Sequence, residues 1–375
     1  LDAFVIRGRF VAVWLGETIA ASSPTVWAKT GGIQTVAPNI SVYGIHPKAA
    51  SDDFAYLTPG TSSLRRDVWV TTAGGGAGTK IVSGLDIGYP REECRYTIAY
   101  AATGLVVAGC PSGATEPRVV VHSLDGVSAP KTILDASAPG LFFNRARTHA
   151  IVQTSTASSI RSLSGIGTPV PLDGPVQQAA FSVDDTKLVY LDAGGTVKRA
   201  SASSPASPVE VAPSALAILG ISPELRFVVV ATKGDISSNR TDVVAIDTSS
   251  PSSARTLVQQ GGGLVGMSKN GDQVVYVDDR GDALHPPLWA ATLPSGAPRK
   301  ISDAAARELV ADDVVYWLEL VKATKSAVLK AARLSNLSDV VTIEKALDPL
   351  TTHLTVAGKK LFVASKLGLW EYPTL

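Results

Sequence analysis

A chain of 375 residues with 34 Lys+Arg against 33 Asp+Glu is almost uncharged overall, which excludes nucleic acid or an anionic membrane as its main electrostatic partner. With 45% hydrophobic and 18% charged residues it is too apolar to be disordered, and no run reaches the roughly 18 to 20 consecutive apolar residues of a membrane-spanning helix. The sequence begins at Leu1 and its single methionine is Met267, from which a processed or trimmed N-terminus is expected.

Taken in chain order, LDAFVI is the first predicted strand, and short apolar runs then recur. They are FVAVWL from Phe10, FAYLT from Phe54, LVVAG from Leu105, AIVQT from Ala150, LVYLD from Leu188, FVVVAT from Phe227, VVYVDD from Val274, VVYWLE from Val314 and LFVAS from Leu361. Their spacing of roughly 38 to 51 residues is the period of a four-stranded propeller blade. Each is followed by a polar loop and another strand, TVWAKT, DVWVTT, RVVVHS, SIRSLS, TVKRAS, DVVAID, PLWAAT, AVLKAA and GLWEYP, with tryptophan in the same place at Trp27, Trp69, Trp289 and Trp370. A further strand often follows, as in KIVSGL, KTILDA, PVEVAP, RTLVQQ and VVTIEK. These runs are short, rich in β-branched and aromatic residues, and punctuated by Gly, Pro, Ser and Asp, as strands are. The stretch DAAARELVADDVVYWLELVKATKSAVLKAARL has helix-forming composition but keeps the period, so it is assigned to strands as well.

The strand ahead of each hairpin ends in a turn such as FSVDDTK, ISPELR or MSKNGD. With Ser222 and Pro223, Ser182 and Asp184, Ser268 and Gly271 in those turns, and Trp69 and Trp289 on third strands, the units resemble the WD-repeat and TolB-type propeller families. Blades of those families carry an S-P-D-G-like turn, an apolar second strand and a third strand with Trp or Tyr. No unit here has the whole turn or the Gly-His and Trp-Asp signature. The resemblance implies a fold: an all-β, single β-propeller over residues 1–375 with eight or nine four-stranded blades.

Cys94 precedes YTIAYA and Cys110 ends LVVAG, with a turn at 102–104 between them. In an antiparallel hairpin, residues equidistant from the turn face each other, so a cross-strand disulfide and an oxidising compartment are expected. Two neighbouring loops, KGDISSNRTD and DDRGDALHPP, bring Asp235, Asn239, Asp242, Asp278, Asp279 and Asp282 toward one face of a propeller, an oxygen-rich rim suited to calcium. No other cofactor is expected. AGGGAGTK lacks the Walker order and reads as a blade turn, and GMSKN misses the nucleophile elbow, so Ser268 reads as a turn residue. Five histidines, His46, His122, His149, His285 and His353, are dispersed over different units. The expectation is a non-catalytic exported propeller, periplasmic, cell-surface or secreted. It would bind a protein or glycan, as a scaffold or as one subunit of an envelope assembly. The alternative is a propeller-fold lyase or hydrolase with its site in the central funnel.

Overall fold

A computed structural model describes residues 2–6, 9–14, 25–29, 33–37, 45–48, 51, 53–60, 62, 65–72, 78–86, 96–110, 116–135, 140–154, 156–233, 241–259, 261–280, 286–321, 323–357, 359–365 and 368–375. Among them the chain forms nine antiparallel sheets, eight of four strands and the last of three, each strand bonded to the next in sequence. The sheets occupy 2–37, 45–86, 97–134, 141–171, 176–212, 215–258, 263–302, 305–347 and 353–373, and are called here sheets one to nine. Every apolar run named above is the second strand of its sheet, and the helix-like stretch is three strands of sheet eight, Ala305–Ala311, Val314–Val321 and Ser326–Arg333.

The sheets group into two compact units, 1–175 and 176–375. Within each unit the second strands are apolar without alternation because both of their faces are buried. In sheet six, Val228 and Val230 pack with Val189, Leu191 and Val197 of sheet five, while Phe227 and Val229 pack with Val274 and Tyr276 of sheet seven. Val275 then meets Val315 and Trp317 of sheet eight, whose Val314, Tyr316 and Leu318 turn to Leu361 and Val363 of sheet nine. In the first unit, Leu105 and Val107 pack on sheet two and Val106 on sheet four. Each core is thus a seam between consecutive sheets, filled by alternate side chains of one strand.

First strands also meet across the seams. In the second unit Val176–Phe181, Ala215–Ile221, Gly263–Met267, Ala305–Ala311 and His353–Ala357 pack in that order, and in the first unit Ile45–Pro47 packs against Thr97–Tyr100. These form the inner edge of each unit.

The turn leaving the first strand is built alike in four sheets. Asn144, Ser182, Ser222 and Ser268 are buried there, and their side-chain oxygens accept the returning backbone N–H of His149, Lys187, Phe227 and Gln273 at 2.9, 3.0, 2.8 and 3.0 Å. Three residues further on, Arg147, Asp185, Leu225 and Gly271 take left-handed φ values of 58, 59, 57 and 71°. A short polar side chain that can bond the backbone is what such a turn selects. Ser268 is therefore a turn residue, as its sequence context indicates.

Candidate binding site

The first strands of the second unit carry β-bulges. Register shifts leave Gln177, Leu216, Leu219 and Val265 as extra residues and set the pair Arg307–Glu308 opposite Trp317 alone, in four consecutive sheets of the second unit. An extra residue is unpaired and aims its side chain off the sheet. Leu216 and Leu219 are accordingly 45% and 38% exposed. Burial raises the pKa of Glu308 above the ordinary carboxylate range, with Arg307 opposing the shift.

Arg307 organises a second feature. Its Nε donates to the Pro349 carbonyl at 3.2 Å and its Nη2 to the Leu350 carbonyl at 2.8 Å. Asp348 ties the same loop from the other side: Oδ1 accepts the Leu350 amide at 3.0 Å, Oδ2 accepts the Thr351 hydroxyl at 3.0 Å, and the backbone oxygen accepts the Thr352 hydroxyl at 2.6 Å. Leu350 sits on this fixed loop yet is 81% exposed. Beside it lies a mainly apolar cleft of about 390 Å³ lined by Ala304, Leu320, Val321, Lys325, Ser326, Pro349 and Leu350. The facing wall is equally fixed, since Thr324 N donates to the Val321 carbonyl at 3.1 Å and the Thr324 and Ser326 hydroxyls bond at 2.6 Å. A strand-to-strand turn, the start of a first strand and the link to the next sheet meet at this end of sheet eight. An exposed leucine held on a rigid lip above an apolar cleft is arranged to receive apolar surface.

The residues singled out in the sequence are placed as follows. Of the six proposed calcium ligands, Asp235, Asn239 and Asp282 lie outside the described residues. Asp242 is paired in register with Thr232, and the Asp278 carboxylate is engaged by Arg280 at 2.8 and 2.5 Å, which lowers its pKa. Asp279 lies against Gly261. Among the described residues no three of His, Cys, Asp and Glu are grouped to hold a metal ion. Cys110 is fully buried and accepts the Asp86 amide at 3.1 Å, joining sheets two and three. No cysteine is free among the described residues, and Cys94 lies outside them. Lys80 of AGGGAGTK is the second residue of the strand Thr79–Asp86 and pairs with Asp67 at 2.8 Å, while 73–77 lie outside the described residues. His122, His149 and His353 lie in three different sheets, His285 lies outside the described residues, and His46 is buried in the first strand of sheet two.

Sheet two departs from the common turn. Lys48 takes the place of the buried Ser or Asn, its amide donating to the Asp53 carbonyl at 3.0 Å. Its ammonium bonds Asp53 at 3.3 Å and lies 5.6 Å from the ring centre of Tyr100 in sheet three. Burial raises the pKa of Tyr100, with Asp53 adding to the shift, and burial lowers that of His46 to about 4. Nothing in the sequence marked Leu350, Arg307 or this Lys48 cluster as special.

No family model matches the chain, and no curated protein matches it in sequence. Solved structures match in shape. A prolyl endopeptidase superposes with a TM-score of 0.51 at 13% identity, covering 100% of this chain and 53% of that one. A structure described as the eukaryotic initiation factor gives 0.50 at 12%, covering 74% and 69%. The meandering four-stranded sheets, their packed first strands and these matches give the fold together. It is a β-propeller. A putative TolB from Agrobacterium tumefaciens also matches, over 58% of this chain and 84% of its own, at 12% identity and a TM-score of 0.36. The chain spans about half the length of the prolyl endopeptidase, and identities this low speak to the fold alone.

Proposed function

We propose that this propeller is a non-catalytic binding module that docks a macromolecular partner on its loop face, with residues 1–375 as a single propeller domain. The observation that carries this reading is Leu350, 81% exposed on a loop fixed by Arg307 and Asp348 beside an apolar cleft of about 390 Å³. A rigid apolar anchor loses little conformational entropy on binding, which is how interface hot spots work. The partner is a protein, with a glycan as the weaker candidate because the cleft is mainly apolar. An exported setting agrees with a disulfide between Cys94 and Cys110, and no helix among the described residues is long and apolar enough to cross a membrane. Calcium on the acidic loops belongs to the same proposal, and its test is a shift in melting temperature with millimolar calcium. The experiment for docking is crosslinking of the intact chain to its co-purifying proteins, compared with Leu350→Asp. Loss of one specific crosslinked species in the variant supports docking at this face; an unchanged pattern overturns it.

A second reading, a lyase or hydrolase, is favoured by the Lys48, Asp53 and Tyr100 cluster, which draws ionisable groups from two sheets. Turnover abolished by Tyr100→Phe would establish it.

A further inference from the structure

The docking reading leaves the chemistry of the occupant open, and the charges around the cleft narrow it. Among the described residues the lining is aliphatic apart from Lys325 and Ser326. Lys325 sits on the rim in a left-handed conformation, φ 53°, and no acidic partner reaches it among the described residues. Among the neighbouring acids, Asp303 pairs with Lys300 at 3.0 Å and Glu319 with Lys330 at 2.8 Å, while the Asp348 oxygens accept from the Leu350 amide and the Thr351 hydroxyl of its own loop. Arg307 adds a second positive charge behind the lip while its donors are spent on the Pro349 and Leu350 carbonyls. The cleft therefore offers apolar contact below and an exposed cation, Lys325, above. At about 390 Å³ it lies near the lower end of the roughly 300–1,000 Å³ common for ligand pockets, a size for one or two side chains rather than a large cofactor.

We infer that the cleft receives an extended segment of a partner protein in which bulky aliphatic residues are followed by carboxylate side chains, the aliphatic groups resting on Leu320, Val321 and Leu350 and a carboxylate pairing with Lys325. This rests on the docking reading above and specifies its ligand. Rim charges act mainly through specificity and on-rate, so the preference for acid over base is expected to be modest, about threefold to tenfold.

The test uses the full chain with its cysteines unreduced and three fluorescein-labelled, end-capped peptides of equal length. Each carries two leucines followed by two aspartates, two serines or two lysines. Fluorescence anisotropy is expected to rank the aspartate peptide first and the lysine peptide last. Lys325→Glu should reverse that order, and Leu350→Asp should weaken all three. Both positions are on the surface, so circular dichroism should show the fold intact; the milder Leu350→Ser is a second variant. If the three wild-type affinities are equal but Leu350-dependent, the acidic-segment inference is overturned and docking at the cleft stands. An order unchanged by Lys325→Glu also overturns it. If no peptide binds at all, the inference and the docking reading at this cleft both fall.

Discussion

Arg307 and Leu350 lie 43 positions apart, yet the guanidinium of one donates to the carbonyl of the other at 2.8 Å, so a bulge in a first strand fixes a loop that leads to the next sheet. The bulge supplies the reach, because Arg307 and Glu308 together stand opposite the single position between Tyr316 and Leu318. Arg307→Ala is expected to free the loop while leaving the seams untouched. Hydrogen exchange at the Leu350 amide should accelerate and affinity for leucine-containing peptides should fall several-fold, with little change in melting temperature. Unchanged exchange would show that Asp348 alone holds the loop.

His46 gives the protein an acid-sensitive window. Burial lowers its pKa from 6.5 to about 4, so the unfolded chain takes up a proton at a pH where the folded chain does not. Stability is therefore full above about pH 6.5 and declines as the pH falls toward about 4, by at most about 3 kcal/mol. Asp184 acts in a different range. The Ser182 hydroxyl and the Thr186 amide and hydroxyl lower its pKa to about 2, so its contribution is present above about pH 3.8 and lost only as the pH falls through 2. Denaturant melts between pH 7 and 4 should show a steeper slope in wild type than in His46→Gln, where burial of His122, which also lowers its pKa, leaves a residual slope.

The repeated turn predicts costs at single atoms. The buried Ser222 hydroxyl accepts the Phe227 amide at 2.8 Å, so Ser222→Ala strands a buried donor and should cost about 1–3 kcal/mol in chemical denaturation. Gly271, at φ 71°, approaches the same serine from sheet seven, where an added Cβ would lie 2.2 Å from Ser222 Cβ. Gly271→Ala is therefore expected to destabilise more than a surface substitution, through left-handed strain and a backbone shift at the seam between sheets six and seven.

The second strands were legible because burial on both faces leaves them no reason to alternate. VVYWLE could be assigned to a strand despite helix-forming neighbours, since Val315 and Trp317 serve one seam and Val314, Tyr316 and Leu318 the other. The turns were legible through Ser182, Ser222 and Ser268, whose short side chains bond backbone, whereas Asn144 does the same without resembling the motif. The cleft was not legible. Leu350 in LDPLTT reads as an ordinary loop residue, and its meaning comes from Arg307, whose reach depends on a bulge that alternation cannot reveal. Lys48 was hidden for a related reason: its importance lies in what occupies the equivalent position in other sheets, and only the shared backbone bond to residue i+5 defines that position.

The proposed Cys94–Cys110 bridge can be decided by mass. Register in sheet three pairs Leu105 with Tyr100, Val107 with Ile98 and Ala108 with Thr97, and Cys110 follows two residues after the last pair. Closing a loop of this length should stabilise the folded state by about 3 kcal/mol through restriction of the unfolded chain. The buried setting of Cys110, which also accepts the Asp86 amide, should make reduction slow until the protein unfolds. Alkylation under denaturing, non-reducing conditions is expected to add no label, and prior reduction to add two. Cys110→Ser should lower the denaturation midpoint, and reductant should lower that of wild type but not of the variant. Two labels without reductant would remove the bridge, and with it the argument from cysteine chemistry for an oxidising compartment.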